Sequence, residues 1–275
     1  MADRLNDAIN AEFAKSVKIG LVGTIDETGG PHVTVLSTLM GRGEDVMCFG
    51  KFVEGLSKEF VLKRPQAGFL IMNPAKRFWR GTMDYDHLKK EGPEYELYND
   101  QPLYRYNAYF GINTVYYFRL RNITEGETLP MGRVIANAIR VLLRKKRYAR
   151  PFVPAMKPWA EGFLAKLDTL KFLSWIDSDG YPTIVPTIQA QAASPSTIVL
   201  RNEPYGELLA PLAAGTRVAL LGFSMTMETV LVKGSFSGFD EKGFGTVAID
   251  RVYNSMPPVH GYVYPESKIE AVRLE

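Results

Sequence analysis

Residues 18–39 read KIGLVGTIDETGGPHVTVLSTL, and residues 169–190 read TLKFLSWIDSDGYPTIVPTIQA. In each stretch, an apolar run meets a turn rich in Asp and Gly and then continues as a second apolar run, which is the pattern of a β-hairpin. The dipeptide Ile-Asp begins both turns, at an offset of 151 residues. Because an internal repeat defines the unit of architecture, we expect two copies of one small β domain.

The same offset continues beyond the hairpin without a gap. It places residues 46–49 (VMCF) on 197–200 (TIVL), and residues 67–70 (AGFL) on 218–221 (VALL). Each copy therefore has several short strands, with a short helix predicted between the third and the fourth. This order is typical of a small barrel and not of a parallel sheet with helical crossovers. The predicted fold class is mainly β, with two β-barrels in tandem.

The composition limits the class of protein. The chain of 275 residues is 46% hydrophobic and 23% charged, which suits two globular domains. A single cysteine, Cys48, rules out an internal disulfide framework, and a net charge of +3 is too small to indicate nucleic acid binding. We find no signal-peptide pattern and no apolar run of membrane-spanning length. We therefore expect a cytoplasmic protein that has no membrane partner and is not expected to bind nucleic acid.

The sequence predicts three regions: an N-terminal barrel at 1–128, a helical linker at 129–169, and a C-terminal barrel at 170–275. Within the linker, 131–148 has the spacing of an amphipathic helix. The predicted apolar stripe is formed by Val134, Ile135, Ala138, Ile139 and Leu142.

The linker also holds seven cations between residues 133 and 150, with no acidic residue in this stretch. Cations are favoured near a helix C-terminus, so the run is explained by a solvated helix end. A binding site for phosphate, nucleic acid or an anionic membrane is the other interpretation. The cations are Arg133, Arg140, Arg144, Lys145, Lys146, Arg147 and Arg150.

The two copies differ in length, because the first carries about 24 extra residues between Tyr85 and Val115. This insert is rich in tyrosine, and long loops in compact domains are often functional. Two interpretations stay open: a loop packed on its neighbour, or an aromatic lid over a planar ligand. The tyrosines of the insert are Tyr95, Tyr98, Tyr104, Tyr106 and Tyr109.

A second difference lies where a helix is expected to begin after the third strand. The first copy has Ser57 and Lys58 there, whereas the second has Leu208 and Leu209 at the same offset. A helix N-terminus favours anions, and a hydroxyl and an ammonium add a donor and a positive charge. The pattern indicates a phosphate site in the first copy only, although a solvated lysine is the simpler explanation of Lys58.

The sequence gives little support for other kinds of catalytic site. The sequence has no Gly-x-Ser-x-Gly motif, no phosphate-binding loop of the Walker type and no dinucleotide fingerprint after a strand. Asp84, Asp86 and His87 lie close in sequence, but no second histidine motif supports a metal centre, so we predict none. The sequence identifies no catalytic residue.

Taken together, the motifs resemble a known family. The order Asp-x-x-Gly-x-Pro-His at 26–32, Phe-Gly at 49–50, Glu-Gly-x-x-Lys at 54–58 and Arg-Pro at 64–65 is similar to that of the pyridoxamine 5'-phosphate oxidase-like, FMN-binding split-barrel superfamily. The resemblance covers 18–85 well and 115–124 fairly, and the repeat extends it to 170–255. It implies that both barrels are split barrels of the FMN-binding type, packed as a pseudo-dimer in one chain.

The resemblance also implies a cofactor and the residues that hold it. FMN is the implied cofactor, with its ring along the second strand and its phosphate on the following helix. Ser57 and Lys58 would bind the phosphate. The other implied contacts are Thr34, Val35, Leu36 and Ser37 along the isoalloxazine, Phe49 and Gly50 close to it, and Trp79 and Arg80 on a later strand.

The function implied is that of a flavin-dependent oxidoreductase acting on a small molecule, with NAD(P)H as a candidate electron donor. A homodimer is a further expectation. The alternative is a non-enzymatic protein of the same fold that binds flavin or haem. The sequence lacks the family's basic residue in 34–38 and any pyridoxamine-phosphate motif, so the substrate stays open.

Overall fold

The computed structural model describes residues 3–51, 55–101, 112–150, 153–226 and 228–254, and the backbone of 261–264. The chain divides into two units. The first contains residues 1–129 together with the short segment 178–183, and the second contains 130–177 and 184–275. In the described residues, every helix is too short or too polar to cross a lipid bilayer.

The first unit is an antiparallel sheet with three helices. Its helices are α1 (Asp7–Ala14), α2 (Leu56–Lys63) and α3 (Pro93–Asp100). Its strands are β1 (Ile19–Ile25), β2 (Pro31–Val35), β3 (Met40–Arg42), β4 (Val46–Lys51), β5 (Gln66–Met72), β6 (Arg77–Lys89), β7 (Thr114–Ile123) and β8 (Glu127–Thr128).

The connection between the two edge strands shows that this sheet curls. The strand order is β2-β1-β5-β6-β7-β4-β3, so β2 and β3 lie at opposite ends of the path. If this sheet were flat, its two outermost strands, β2 and β3, would lie ~29 Å apart. Residues 36–39 alone join β2 to β3, and the five steps from Val35 to Met40 can span at most ~18 Å. The sheet must therefore bend into a barrel, and its interior holds Val22, Leu36, Phe49, Phe69, Trp79 and Phe118.

The second unit repeats this order. Its helices are α4 (Met131–Arg144), α5 (Pro158–Ala165) and α6 (Gly206–Leu209), with a 3-10 turn at Lys145–Arg147. Its strands are β9 (Leu170–Ile176), β10 (Pro182–Pro186), β11 (Gln191–Ser194), β12 (Thr197–Arg201), β13 (Arg217–Phe223), β14 (Thr229–Phe239), β15 (Phe244–Asn254) and β16 (Gly261–Tyr264).

The strand path β10-β9-β13-β14-β15-β12-β11 matches that of the first sheet position by position. Each of the strands β1 to β5 begins 151 residues before its counterpart, as the sequence offset predicts. The edge strands β10 and β11 are again joined by four residues, 187–190, so the same closure argument holds. The fold class predicted from the sequence, mainly β with two tandem split β-barrels, is confirmed.

The segment predicted as a helical linker belongs to the second unit. Residues 130–169 group with it, because α4 places Val134, Ala138 and Val141 in buried positions and Val141 packs with Val199 and Phe244. The amide of Gln191 on β11 donates to the carbonyl of Ala138 over 2.9 Å. A helix that buries one apolar face on a sheet is a layer of that domain.

Part of the tyrosine-rich insert belongs to the hydrophobic core of the first unit. Tyr98 on α3 is fully buried, and its hydroxyl donates to the carbonyl of Thr38 over 2.6 Å. The Tyr98 hydroxyl also lies 3.6 Å from Sγ of Cys48, a buried thiol whose pKa burial raises to about 11. Tyr98 therefore fastens the insert to the 36–39 connection. Tyr104, Tyr106 and Tyr109 lie outside the described residues, so the lid interpretation stays a prediction.

A buried lysine in the second barrel gives a test of this packing. Lys171 on β9 is fully buried, and its Nζ donates to the carbonyl of Lys166. Burial, the largest influence, lowers the pKa of Lys171 to about 7. Because this lies below the unfolded value of about 10.4, the unfolded chain binds more protons between these two pH values. Stability therefore rises with pH in that window.

We predict that the unfolding free energy of the wild-type chain, measured relative to that of Lys171→Met, rises by roughly 1 kcal/mol per pH unit between about pH 7.5 and 10. Urea unfolding of both proteins across this range measures the difference, and contributions from other titrating groups cancel. A difference that stays flat with pH would show that Lys171 keeps an ordinary pKa in the folded chain.

Candidate functional site

The site predicted from the sequence is built where α2 packs on β2. Successive side chains of a strand point to opposite faces, so His32 and Thr34 share one face, and Ser57 and Phe60 share one face of the helix. The His32 ring meets the Phe60 ring edge-on, with centroids 5.2 Å apart. The hydroxyls of Thr34 and Ser57 hydrogen-bond to each other. The Thr34–Ser57 hydroxyl pair therefore lies near the N-terminus of α2, and the His32–Phe60 ring pair lies about one turn further along the helix.

Lys58 is the next residue of α2 and is buried, with only 5% of its surface exposed. A Cβ added to Gly55 would lie 3.6 Å from the Nζ of Lys58, so the ammonium folds back beside the residue that begins the helix. Among the described residues, no side chain caps the N-terminus of α2. A positive side chain thus stands at the positive end of an uncapped helix, a combination that favours a bound anion.

The end of β4 precedes α2 in the chain, and its backbone lies against Thr38 and Ile112. Gly50 accepts a hydrogen bond from the hydroxyl of Thr38 over 2.9 Å. A Cβ on Gly50 would lie 2.7 Å from Ile112, so the backbone there has room for no side chain. The strand ends at Lys51, and α2 begins five residues later.

The other end of α2 is held by the β1–β2 turn. Asp26 accepts hydrogen bonds from the backbone amides of Thr28 and Gly30, each over 2.9 Å, and Gly29 adopts the left-handed φ of 83° that the turn requires. The Arg64 guanidinium, at the end of α2, donates to the carbonyl of Asp26. The Asp-x-x-Gly and Arg-Pro motifs therefore hold the helix on β2 and give it a fixed direction.

The remaining predicted contacts divide between surface and core. Val35 and Ser37 are half-buried. Leu36 and Phe49 are buried in the barrel interior, where the Phe49 ring stacks on Tyr116 with centroids 5.1 Å apart. Two adjacent residues of a strand point to opposite faces, so 34–37 do not all present side chains to one ligand.

Trp79 and Arg80 have partners elsewhere in the first barrel. Trp79 is buried in the interior, edge-on to Phe13 with ring centroids 5.6 Å apart. Arg80 pairs with Glu127, with Nε and Oε1 3.0 Å apart. The structure therefore joins Thr34 to Ser57 and places the Lys58 ammonium beside Gly55 at the start of the same helix, whereas Trp79 and Arg80 contact other partners.

The corresponding place in the second barrel is apolar. Helix α6 has only four residues, Leu209 is fully buried, and Leu208 is half-buried. Position 185, the counterpart of Thr34, is a buried valine. Among the described residues at this position, neither a hydroxyl pair nor an ammonium is found. Of the two equivalent positions, the first therefore has the polar residues expected of an anion site and the second has apolar ones.

The acidic residues of β6 are engaged with basic and hydroxyl partners. Asp84 binds the guanidinium of Arg121 and accepts a hydrogen bond from the Tyr181 hydroxyl over 2.8 Å. Asp86 pairs with Nδ1 of His87 over 2.8 Å. Across the described ranges, no group of three such residues converges on a point that could hold a metal ion.

The comparisons with known proteins are limited to solved structures. No family model and no curated protein matches the chain. HupZ from Group A Streptococcus is 12% identical, with a TM-score of 0.36 and coverage of 46% of this chain and 98% of that one. An FMN-binding protein from Syntrophomonas wolfei subsp. wolfei is 17% identical, with a TM-score of 0.35 and coverage of 44% and 82%.

A third match is an F420 reductase, 15% identical, with a TM-score of 0.36 and coverage of 44% of this chain and 98% of that one. Each of these three solved chains thus corresponds to about half of this chain. Since the TM-scores lie below 0.5, the fold assignment rests on the strand order and the closure of each sheet.

Proposed function

We propose that the first barrel binds FMN with its phosphate at the N-terminus of α2, and that the chain is an FMN-dependent oxidoreductase acting on a small molecule. The observation that supports this most is the position of the Lys58 ammonium, buried beside Gly55 at the start of a helix that no described side chain caps. The hydroxyl of Ser57, in the first turn of the same helix, hydrogen-bonds to that of Thr34 and supplies a neutral donor.

Electrostatics favour a dianionic phosphate at this place. The Lys58 ammonium brings a positive charge to the start of α2, and the helix dipole adds about half a positive charge at the same end. A phosphate at this place could accept charge-assisted hydrogen bonds from the ammonium and a further bond from the hydroxyl of Ser57. The donor set thus fits a phosphate monoester, which FMN carries.

In this proposal the flavin and the protein have different roles, which follow from the residues present. A bound flavin supplies the redox chemistry, and the protein supplies binding, orientation and electrostatics. In this proposal Ser57 and Lys58 hold the phosphate, Thr34 orients Ser57, and Val35 and Ser37 lie along the ring. NAD(P)H is the proposed electron donor. A non-enzymatic flavin or haem carrier is the competing outcome of the experiment below.

We predict that the chain binds one FMN and not two. Both barrels have the strand order of the fold, but only the first has Ser57 and Lys58, whereas the second has Leu208 and a fully buried Leu209. Apolar side chains remove the charge and the hydroxyl from the helix start. Titration of flavin-free protein, followed by fluorescence quenching of FMN, is expected to saturate at one equivalent per chain.

The same sample separates the competing functions. Acid release and chromatography identify the flavin, and reduction by NAD(P)H followed by reoxidation in air supports the enzyme. A haem Soret band without affinity for FMN would refute the proposal. Two equivalent tight sites would refute the assignment of the site to the first barrel alone.

A further inference from the structure

Helix α4 has three faces of different chemistry. Successive residues of a helix are rotated by about 100°, so residues three and four apart share a face. One face packs on the second barrel and is buried. Its residues are Val134, Asn137, Ala138 and Val141.

The second face of α4 is apolar and exposed. An apolar stripe of this kind needs a partner, because scattered exposed hydrophobic residues are common but contiguous ones mark an interaction surface. Leu143 points farthest outward, with 77% of its surface exposed. The stripe consists of Ile135 (53% exposed), Ile139 (46%), Leu142 (44%) and Leu143.

The third face is a row of arginines. Arg133, Arg140 and Arg144 are exposed and follow one another at spacings of seven and four residues, which keeps them on one side of the helix. Arg147 is exposed in the 3-10 turn that follows, and Arg133 also pairs with Glu203 of the same unit. The 131–150 segment contains no acidic residue. Viewed from outside, α4 therefore presents an apolar stripe beside a cationic stripe.

The two exposed stripes of α4 distinguish between three kinds of partner: a second copy of this chain, a nucleic acid and an anionic lipid surface. A second copy docking through the same face would bring two arginine rows together, which costs free energy through like-charge repulsion. A nucleic acid would match the arginines and leave the apolar stripe exposed. An anionic lipid surface satisfies both stripes at once, because apolar side chains enter the boundary of the acyl chains while cations bind lipid phosphates.

We propose that α4 docks the protein on anionic membrane surfaces, with Ile139, Leu142 and Leu143 entering the headgroup region. This departs from the expectation, based on composition, that the protein has no membrane partner. The helix would lie in the plane of the interface and does not cross the bilayer. The proposal is independent of flavin binding.

An exposed tryptophan provides a second reporter. Trp159 on α5 is 52% exposed, whereas Trp79 and Trp175 are each 3% exposed. Glu161 of α5 acts electrostatically on Lys145, which directly follows α4, so the two helices are neighbours within the second unit. Tryptophan is favoured at membrane interfaces because its ring is amphipathic.

The test is flotation of the full chain with vesicles of phosphatidylcholine alone or mixed with phosphatidylserine. We expect binding to the mixed vesicles only, with a blue shift of the Trp159 emission that is absent in Trp159→Tyr. Leu143→Glu should weaken binding more than tenfold, and each Arg→Gln change at 140 or 147 about fivefold. Val17→Glu, which alters an exposed apolar residue of the first unit, is the matched control and should bind normally.

Three results would overturn the proposal. They are the absence of binding to phosphatidylserine vesicles, equal binding of wild-type and Leu143→Glu, and equal binding to both lipid compositions. Sedimentation of the same variants detects the competing arrangement, because a dimer lost in Leu143→Glu would assign the stripe to a second copy. Thermal unfolding verifies that each variant is folded, which the exposure of Leu143 predicts.

Discussion

Replacing Gly81 with alanine is expected to unfold the first barrel under conditions in which the wild-type chain is folded. A Cβ at this position would lie 2.0 Å from the carbonyl oxygen of Asn122 and 2.8 Å from the Phe69 ring. The oxygen belongs to the backbone of β7, which is paired with β6 next to a register shift at Thr82 and Met83. Neither strand can move aside without breaking the ladder, so we expect a loss of at least about 3 kcal/mol.

The second barrel provides an independent repeat of this experiment. A Cβ on Gly234, the counterpart of Gly81, would lie 2.0 Å from the carbonyl oxygen of Ala248. Gly162→Ala in α5 is the control, because no atom beyond its chain neighbours and the backbone of its own helix lies within 4 Å of the added Cβ, and helix propensity favours alanine by up to about 1 kcal/mol. Urea unfolding measures all three. If Gly81→Ala keeps wild-type stability, the close approach of β6 and β7 is wrong.

The second large effect concerns Lys58 and rests on the proposed function. We expect Lys58→Met to weaken FMN binding about ten- to hundredfold, because a charge-assisted hydrogen bond contributes about 1.5–3 kcal/mol. Methionine keeps the apolar stem in the buried position of Lys58 and removes only the ammonium. Riboflavin, which lacks the phosphate, should bind both proteins with similar affinity. Fluorescence titration with each flavin gives the dissociation constants.

Lys63→Met is the matched control for this comparison. Lys63 lies in the last turn of the same helix and is exposed, so its replacement should leave both affinities within about twofold of wild type. Equal losses for FMN and riboflavin in Lys58→Met would show that Lys58 acts through packing alone. Retained FMN affinity would place the phosphate elsewhere.

Much of the fold could be predicted from one number, the offset of 151 residues. It fixes the start of β1 to β5 and their counterparts because apolar alternation and turn residues coincide in both copies. The end of β2 could not be predicted in this way. The alternation continues through Leu36 and Leu39, but the strand stops at Val35 because 36–39 must connect the two edges of the sheet.

The faces of α4 show a second limit. A period of 3.6 predicts the helix and places Val134, Ile135, Ala138 and Ile139 on one broad stripe. In the structure Val134 and Ala138 are buried, whereas Ile135 and Ile139 are exposed. Periodicity detects an apolar side of a helix but not how much of it a neighbouring sheet covers.

For the site, the sequence predicted the neighbourhood of β2 and α2 but not which of the residues predicted to contact the flavin lie on its surface. Thr34 and Ser57 meet because β2 and α2 pack together, which the order of motifs implies. The burial of Lys58 has no signal in the sequence, where lysine is expected to be solvated. The interior positions of Phe49 and Trp79 depend on which face of each strand turns inward, and this is set by the curvature of the whole sheet.

The insert in the first barrel costs little chain entropy for its length. The β6–β7 hairpin that carries it closes across 26 residues, from Lys89 to Val115, whereas its counterpart closes across six, from Phe239 to Gly245. Since closure entropy grows only with the logarithm of loop length, the difference is about 1.3 kcal/mol. Full burial of one large apolar side chain contributes about 1.5–3 kcal/mol, so the buried Tyr98 offsets this cost. The length of the insert is therefore loosely determined, whereas Tyr98 must be kept.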